Sequence, residues 1–325
     1  MSSEDDSSGW QLTESDPGVF TELLKTLGVP YIVDDLYSLE PDSLAALQPL
    51  HALIFLFKWL PSTEGAPDVN AGRYDSEFSG FFAHQTVNNA CATLAVINAL
   101  GNIPSLPSGP QLRDLLSFTA GMDPQTCGMA ITSADWLREA HNALSPPSAI
   151  SLDGLGLPKT TEDAYHFVVY LPMMGSVYEL DGLKPYPVQH GEYDESPEGW
   201  LKKAREVIEH RIGTYPTGVL EFSLLALRDD PLPSMQAQLK VLQEVGKESE
   251  ANDIIVRLSN ENAKRERWAF ENSLRRHNHM GLVHALLLAF ARAGTLDTVK
   301  EGAKKVMKTR IERRKGMGMG DMDED

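Results

Sequence analysis

The feature that most constrains this chain is a change of character at Asp229-Asp230-Pro231. Before it, apolar runs alternate with helix-like segments. After it, from Pro233 to Lys315, no strand-like alternation appears. Apolar residues there (Met235, Leu239, Leu242; Leu282, Leu286, Leu287, Phe290) recur at helical spacing among many Glu, Lys and Arg. Such a pattern builds helices and no sheet. The 325 residues therefore read as a mixed α/β domain over 10–230 and an all-helical extension over 231–315. The polar, acidic ends, 1–9 and 316–325, read as a disordered leader and tail.

Within the first domain, Ser15-Asp16-Pro17 and Pro41-Asp42-Ser43 open helices. The run Leu53-Ile54-Phe55-Leu56-Phe57 suits a buried strand, and 61–78 a surface loop. An Ala-rich helix is expected from Asn89 to Leu100, stopped by Gly101 and Pro104. Further helices are expected at 110–120, 132–143 and 197–212, and strands at 166–171, 176–181 and 218–227. Between them lies a loop at 145–161, rich in Pro and Gly, about as long as a compact domain carries without a function.

Charge and cysteine content narrow the setting. A net charge of -17 disfavours non-specific nucleic-acid binding and favours basic partners. No stretch is long and apolar enough to span a membrane, and the acidic N-terminus is not a secretory signal. The two cysteines read as free thiols of a reducing compartment, cytoplasm or nucleus. The basic stretch from Lys304 to Lys315 reads as a solvated helix end, or as an import or docking patch.

Four residues form a chemical constellation. Cys91 lies near the start of the Asn89–Leu100 helix, where unpaired N–H groups and the positive helix end favour a thiolate. A lone helical cysteine is more often inert and buried. Gln85 precedes Cys91 on the segment entering the helix, so its amide and the Cys91 N–H can converge on one point as an oxyanion hole. Alone, Gln85 would be a solvated loop residue. His166 and Asp181 lie on two strands joined by Pro172-Met173-Met174-Gly175. If Pro172 faces Gly175, His166 falls opposite Asp181, and the carboxylate orients the imidazole toward a thiol. A structural cross-strand hydrogen bond is the plainer alternative. In this order, Gln, Cys, His and Asp follow the chain order of papain-like cysteine proteases, which favours nucleophilic catalysis over coincidence. His84 is local to the site, but its side chain should point away from that of Gln85. His277 and His279 lack a third ligand at a recognisable spacing. Cys127, in a Pro-Gln-Thr-Cys-Gly turn, reads as structural.

At these residues the chain resembles the ubiquitin C-terminal hydrolase family. The matching segments are ESDPGVF (14–20), LIFLFKW (53–59), FFAHQTVNNACAT (81–93), EDAYHFVVY (162–170) and YELDGLK (178–184), in order across residues 10–230. The resemblance implies a papain-like α/β (α+β) fold, helices around a central antiparallel sheet. It also implies Cys91 as nucleophile, His166 as base, Asp181 as its orienter and Gln85 as oxyanion stabiliser. The loop at 145–161 takes the place of a crossover loop through which the ubiquitin tail passes. No cofactor and no metal are implied. Residues 233–315, with ENSLRRHNHMGLVHALLLAFA, resemble the helical extension of the longer, proteasome-associated member. Ubiquitin conjugates and a proteasome ubiquitin-receptor subunit are the expected partners, the latter through 231–315. The alternative is a ubiquitin-binding adaptor, autoinhibited or inactive until partnered.

Overall fold

The computed structural model describes residues 8–58, 72–145, 165–196, 198–215, 222–277 and 280–316. Its centre is one sheet. The strands are β1 (Tyr31–Asp35), β2 (Leu50–Lys58), β3 (Arg73–Tyr74), β4 (Tyr165–Met173), β5 (Ser176–Leu180), β6 (Val188–Glu192) and β7 (Phe222–Asp229). They lie in the order β1-β7-β2-β4-β5-β6-β3, every neighbouring pair antiparallel.

The continuous apolar run of β2 follows from its position between β7 and β4. With both faces covered, neither set of alternating side chains meets water. Ala52 and Ile54 enter one core, Leu53, Phe55 and Phe57 the other. The first core is closed by α1 (Pro17–Thr26), α3 (Cys91–Leu100), α4 (Pro110–Thr119), α5 (Pro124–Thr132) and α6 (Asp135–Asn142). The second is closed by α2 (Pro41–Ala46) and α7 (Trp200–Gly213), through Leu44, Leu201, Ala204 and Ile208. Each large apolar side chain buried this way contributes roughly 1.5–3 kcal/mol relative to exposure. The result is helices on both faces of an antiparallel sheet. In α3 every residue from Ala92 to Leu100 is buried, so this helix is the rigid axis of the first core.

Three local expectations change. The hairpin turn has two residues, Met174 and Gly175, both at positive φ (48° and 76°), as a tight primed turn requires. Pro172 therefore pairs with Val177 inside the ladder, not with Gly175 across a turn. It lies beyond the last β2 pairing, where a missing N–H is tolerated. Second, Cys127 is not in a turn. It sits in α5, capped by Asp123, which accepts from the Gln125 and Thr126 N–H groups at 3.1 and 3.0 Å. The helix expected over 132–143 is α6, beginning at Asp135. Third, α3 begins at Cys91 itself, because Asn89 takes a left-handed conformation (φ 64°) to make the entry turn. The loop expected at 145–161 lies outside the described residues beyond Ser145, as do 218–221 ahead of β7.

After β7 the chain is helical: α8 (Pro231–Glu244), α9 (Glu248–Arg275), α10 (Met280–Arg292) and α11 (Leu296–Gly316). Two compact units divide at Arg276/His277. The pair α8–α9 belongs to the first. There Trp268 and Asn272 of α9 are buried, Asn272 donating to the Gly18 carbonyl of α1 at 3.0 Å, and Arg275 bonds Asp16 at 3.0 Å. No helix among the described residues is long and apolar enough to cross a membrane.

Candidate active site

The N-terminus of α3 and the strands β4 and β5 bring three of the four candidate side chains into one line. Cys91 is the first residue of α3, where backbone N–H groups have no intrahelical acceptor. The residue is half-buried, and its thiol lies near enough to the His166 ring to help raise that ring's pKa. His166 Nε2 lies 2.6 Å from Asp181 Oδ1, which leaves Nδ1 for the thiol. His166 and Asp181 are both nearly sealed from water, at 4% and 5% exposure, so their charges are weakly screened.

The hairpin register differs from expectation, yet the pair survives. The observed ladder places Val169 opposite Leu180; one step further, Val168 would face Asp181. His166 is then a diagonal neighbour on the same face, within reach of a carboxylate. The offset is an even number of residues, so no side chain changes faces. Asp181 lies just past the end of β5, where it also accepts from the Leu183 N–H at 2.9 Å.

Burial pulls the His166 imidazole down, but hydrogen bonds to Asp181 and Cys91, and their negative charge, outweigh it and push its pKa up to about 9. The ring is therefore charged at neutral pH. Beside a thiol at a helix N-terminus, that arrangement suits a thiolate–imidazolium pair.

Gln85 reaches the site through backbone geometry that the sequence does not advertise. Asn98 of α3 accepts from the Ala83 N–H at 2.8 Å and donates to its carbonyl at 3.2 Å. One turn on, Asn102 does the same for Phe81, both at 2.8 Å. Two side-chain amides thus hold residues 81–83 against the helix that carries Cys91. The next two N–H groups are taken by other elements: His84 donates to the Pro124 carbonyl at 2.9 Å, and Gln85 to the Gly182 carbonyl at 2.8 Å. Two glycines permit this closeness. A Cβ on Gly128 would stand 2.0 Å from the His84 carbonyl oxygen, and one on Gly182 would stand 2.9 Å from the Gln85 nitrogen. Gln85 is therefore fixed beside Gly182, the residue after Asp181. Its Nε2 donates to the Val87 carbonyl at 3.1 Å, and the amide carries a second N–H.

The remaining candidates fall elsewhere. The His84 ring faces Gln125 Oε1 and the Pro185 carbonyl, at 3.4 and 3.2 Å, away from Cys91. Cys127 is buried, its Sγ 3.4 Å from the Thr119 carbonyl, and burial pushes its thiol up. His279 lies outside the described residues.

Comparison with known proteins follows the same outline. A family model described as ubiquitin carboxyl-terminal hydrolase, family 1, matches residues 10–213. A second, described as ubiquitin carboxyl-terminal hydrolases, matches 251–296. The chain is 36% identical over 310 residues to ubiquitin carboxyl-terminal hydrolase ubh-4 of Caenorhabditis elegans, covering 93% of this chain and 94% of that protein. It is 36% identical over 251 residues to ubiquitin carboxyl-terminal hydrolase BAP1 of Xenopus tropicalis, covering 72% of this chain and 36% of that one. Among solved structures, UCH37 of Trichinella spiralis bound to ubiquitin vinyl methyl ester is similar with a TM-score of 0.65 at 31% identity, covering 80% of this chain and 99% of that one.

Proposed function

The chain belongs to the ubiquitin carboxyl-terminal hydrolase family 1, a family of cysteine peptidases, and on that premise we propose that it hydrolyses amide, isopeptide and ester bonds at the C-terminal glycine of ubiquitin. The observation that carries this is His166 held between the Cys91 thiol and Asp181 at 2.6 Å. With the proton already on His166, the Cys91 thiolate attacks the glycine carbonyl. The second N–H of Gln85 and the Cys91 backbone N–H hold the oxyanion, each donor of this kind being worth roughly 3–4 kcal/mol. As the tetrahedral intermediate collapses, His166 protonates the leaving amine and a thioester remains. Water, deprotonated by His166, then releases ubiquitin and restores the thiolate–imidazolium pair. Asp181 keeps the imidazole in the tautomer and plane that both steps need. With its net charge of -17, the protein favours encounter with the basic ubiquitin tail.

Residues 231–315 are the proposed docking extension, with a proteasome ubiquitin-receptor subunit as partner. In support, α10 presents Leu282, Leu286 and Leu287 to solvent, at 60%, 47% and 50% exposure. Its two free thiols suit the cytoplasm and nucleus. The direct test is release of a fluorescent amine from the C-terminus of ubiquitin. Wild type is expected to turn over and Cys91→Ala to lose at least about 10³-fold in kcat. Absence of turnover by wild type, with ubiquitin still bound, would reverse the conclusion in favour of an adaptor.

A further inference from the structure

A buried ionic cluster stands directly behind the His166–Asp181 pair. Glu179, fully buried on β5, bonds Lys184 at 2.9 Å, His190 at 3.1 Å and Arg211 at 3.1 Å. Arg211, on α7 and 5% exposed, also donates to the Tyr170 hydroxyl at 2.8 Å. Its guanidinium lies 4.0 Å from the centre of the Phe57 ring. Phe57 pairs with His166 across β2 and β4, and the two rings meet edge to face, centres 5.8 Å apart and planes at 87°.

From this geometry we propose that Arg211 is a positioning residue for the reaction, acting on both members of the catalytic pair at once. One arm runs through Phe57: a cation over one face of the ring fixes its plane, and the ring in turn walls the imidazole. The other runs through Glu179 near the end of β5, two residues before Asp181, so the ion pair anchors the strand end that presents the carboxylate. A buried ion pair is a poor source of stability, since desolvation offsets its attraction. A rigid geometry behind a catalytic dyad is a use that repays it, because an imidazole misplaced by about 1 Å costs about 10²-fold in rate. This inference rests on the catalytic roles proposed above.

The test uses the full chain and the fluorogenic ubiquitin amide. Arg211→Met, the paired Glu179→Gln/Arg211→Met and Phe57→Leu are compared with wild type, each with its melting temperature. Arg211→Met leaves a buried carboxylate short of a partner; the paired variant does not, and carries the test with Phe57→Leu if the single variant fails to fold. In folded variants kcat is expected to fall about 10- to 100-fold with KM within about twofold. Alkylation of Cys91 by iodoacetamide at neutral pH is expected to slow in parallel, since the thiolate needs an imidazole aimed at it. A paired variant that turns over as wild type does overturns the proposal. So does a loss of activity that tracks melting temperature alone while alkylation stays unchanged. Failure of the catalytic roles themselves looks different: wild type would be inactive, or Cys91→Ala would remain active.

Discussion

His166 shows what a few atoms decide. Its charge depends on Asp181, so Asp181→Asn is expected to do two things. It lowers kcat about 10²–10⁴-fold, because the tautomer is no longer fixed. It also moves the alkaline limb of kcat/KM from about 9 toward the ordinary histidine value of 6.5, measurable as a pH–rate profile. The same sign governs stability. A raised histidine contributes fully below about 6.5, and the contribution is lost as pH rises through about 9. That His166 and Asp181 would meet could be read from the sequence, because strand parity survives a two-residue slip of register. Asn98, Asn102, Gly128 and Gly182 could not. They act on the backbone of residues 81–85 from other segments, and nothing in their own neighbourhoods marks that.

Elements show the same division. The apolar run of β2 and the Ala-rich α3 declare themselves, since both are buried on all sides. Strands β1 and β6 are short and carry Asp34, Asp35, Gln189 and His190, so their pairing is set by neighbours and not by pattern. Helix α5 stands where the sequence reads as a turn, because Gly128 and the short length mask the start at Asp123-Pro124. That glycine makes a sharp test. In an open helix, Gly→Ala stabilises by about 0.5–1 kcal/mol. Here the new methyl would meet the His84 carbonyl at 2.0 Å, so Gly128→Ala is expected to destabilise by about 1–3 kcal/mol and to lower kcat by displacing Gln85. Thermal melts and turnover read the two effects separately.

At the scale of the whole molecule, composition changes near residue 231 while the compact units divide after Arg276. Ending the chain after Arg276 is expected to leave melting temperature and ubiquitin-amide hydrolysis nearly unchanged, since both sheet cores and all four site residues lie in the first unit. Ending it after Asp230 strips α9 from α1, removing the Asn272 bond to Gly18 and the Arg275 bond to Asp16. A loss of a few kcal/mol there lowers the melting temperature by about 5–10 °C. The two cysteines have a consequence of their own. A thiolate held beside an imidazolium is the form that peroxide attacks, giving a sulfenic acid. Many oxidant-sensitive proteins rescue that state with a second thiol nearby. Here the other cysteine, Cys127, is sealed in the core with its sulfur on the Thr119 carbonyl. On the role proposed for Cys91, its oxidation therefore stops the molecule until a thiol arrives from outside. Peroxide inactivation is expected to be reversed by added glutathione, with mass spectrometry showing no internal disulfide, so that how long the enzyme stays silent is set by the thiol supply around it.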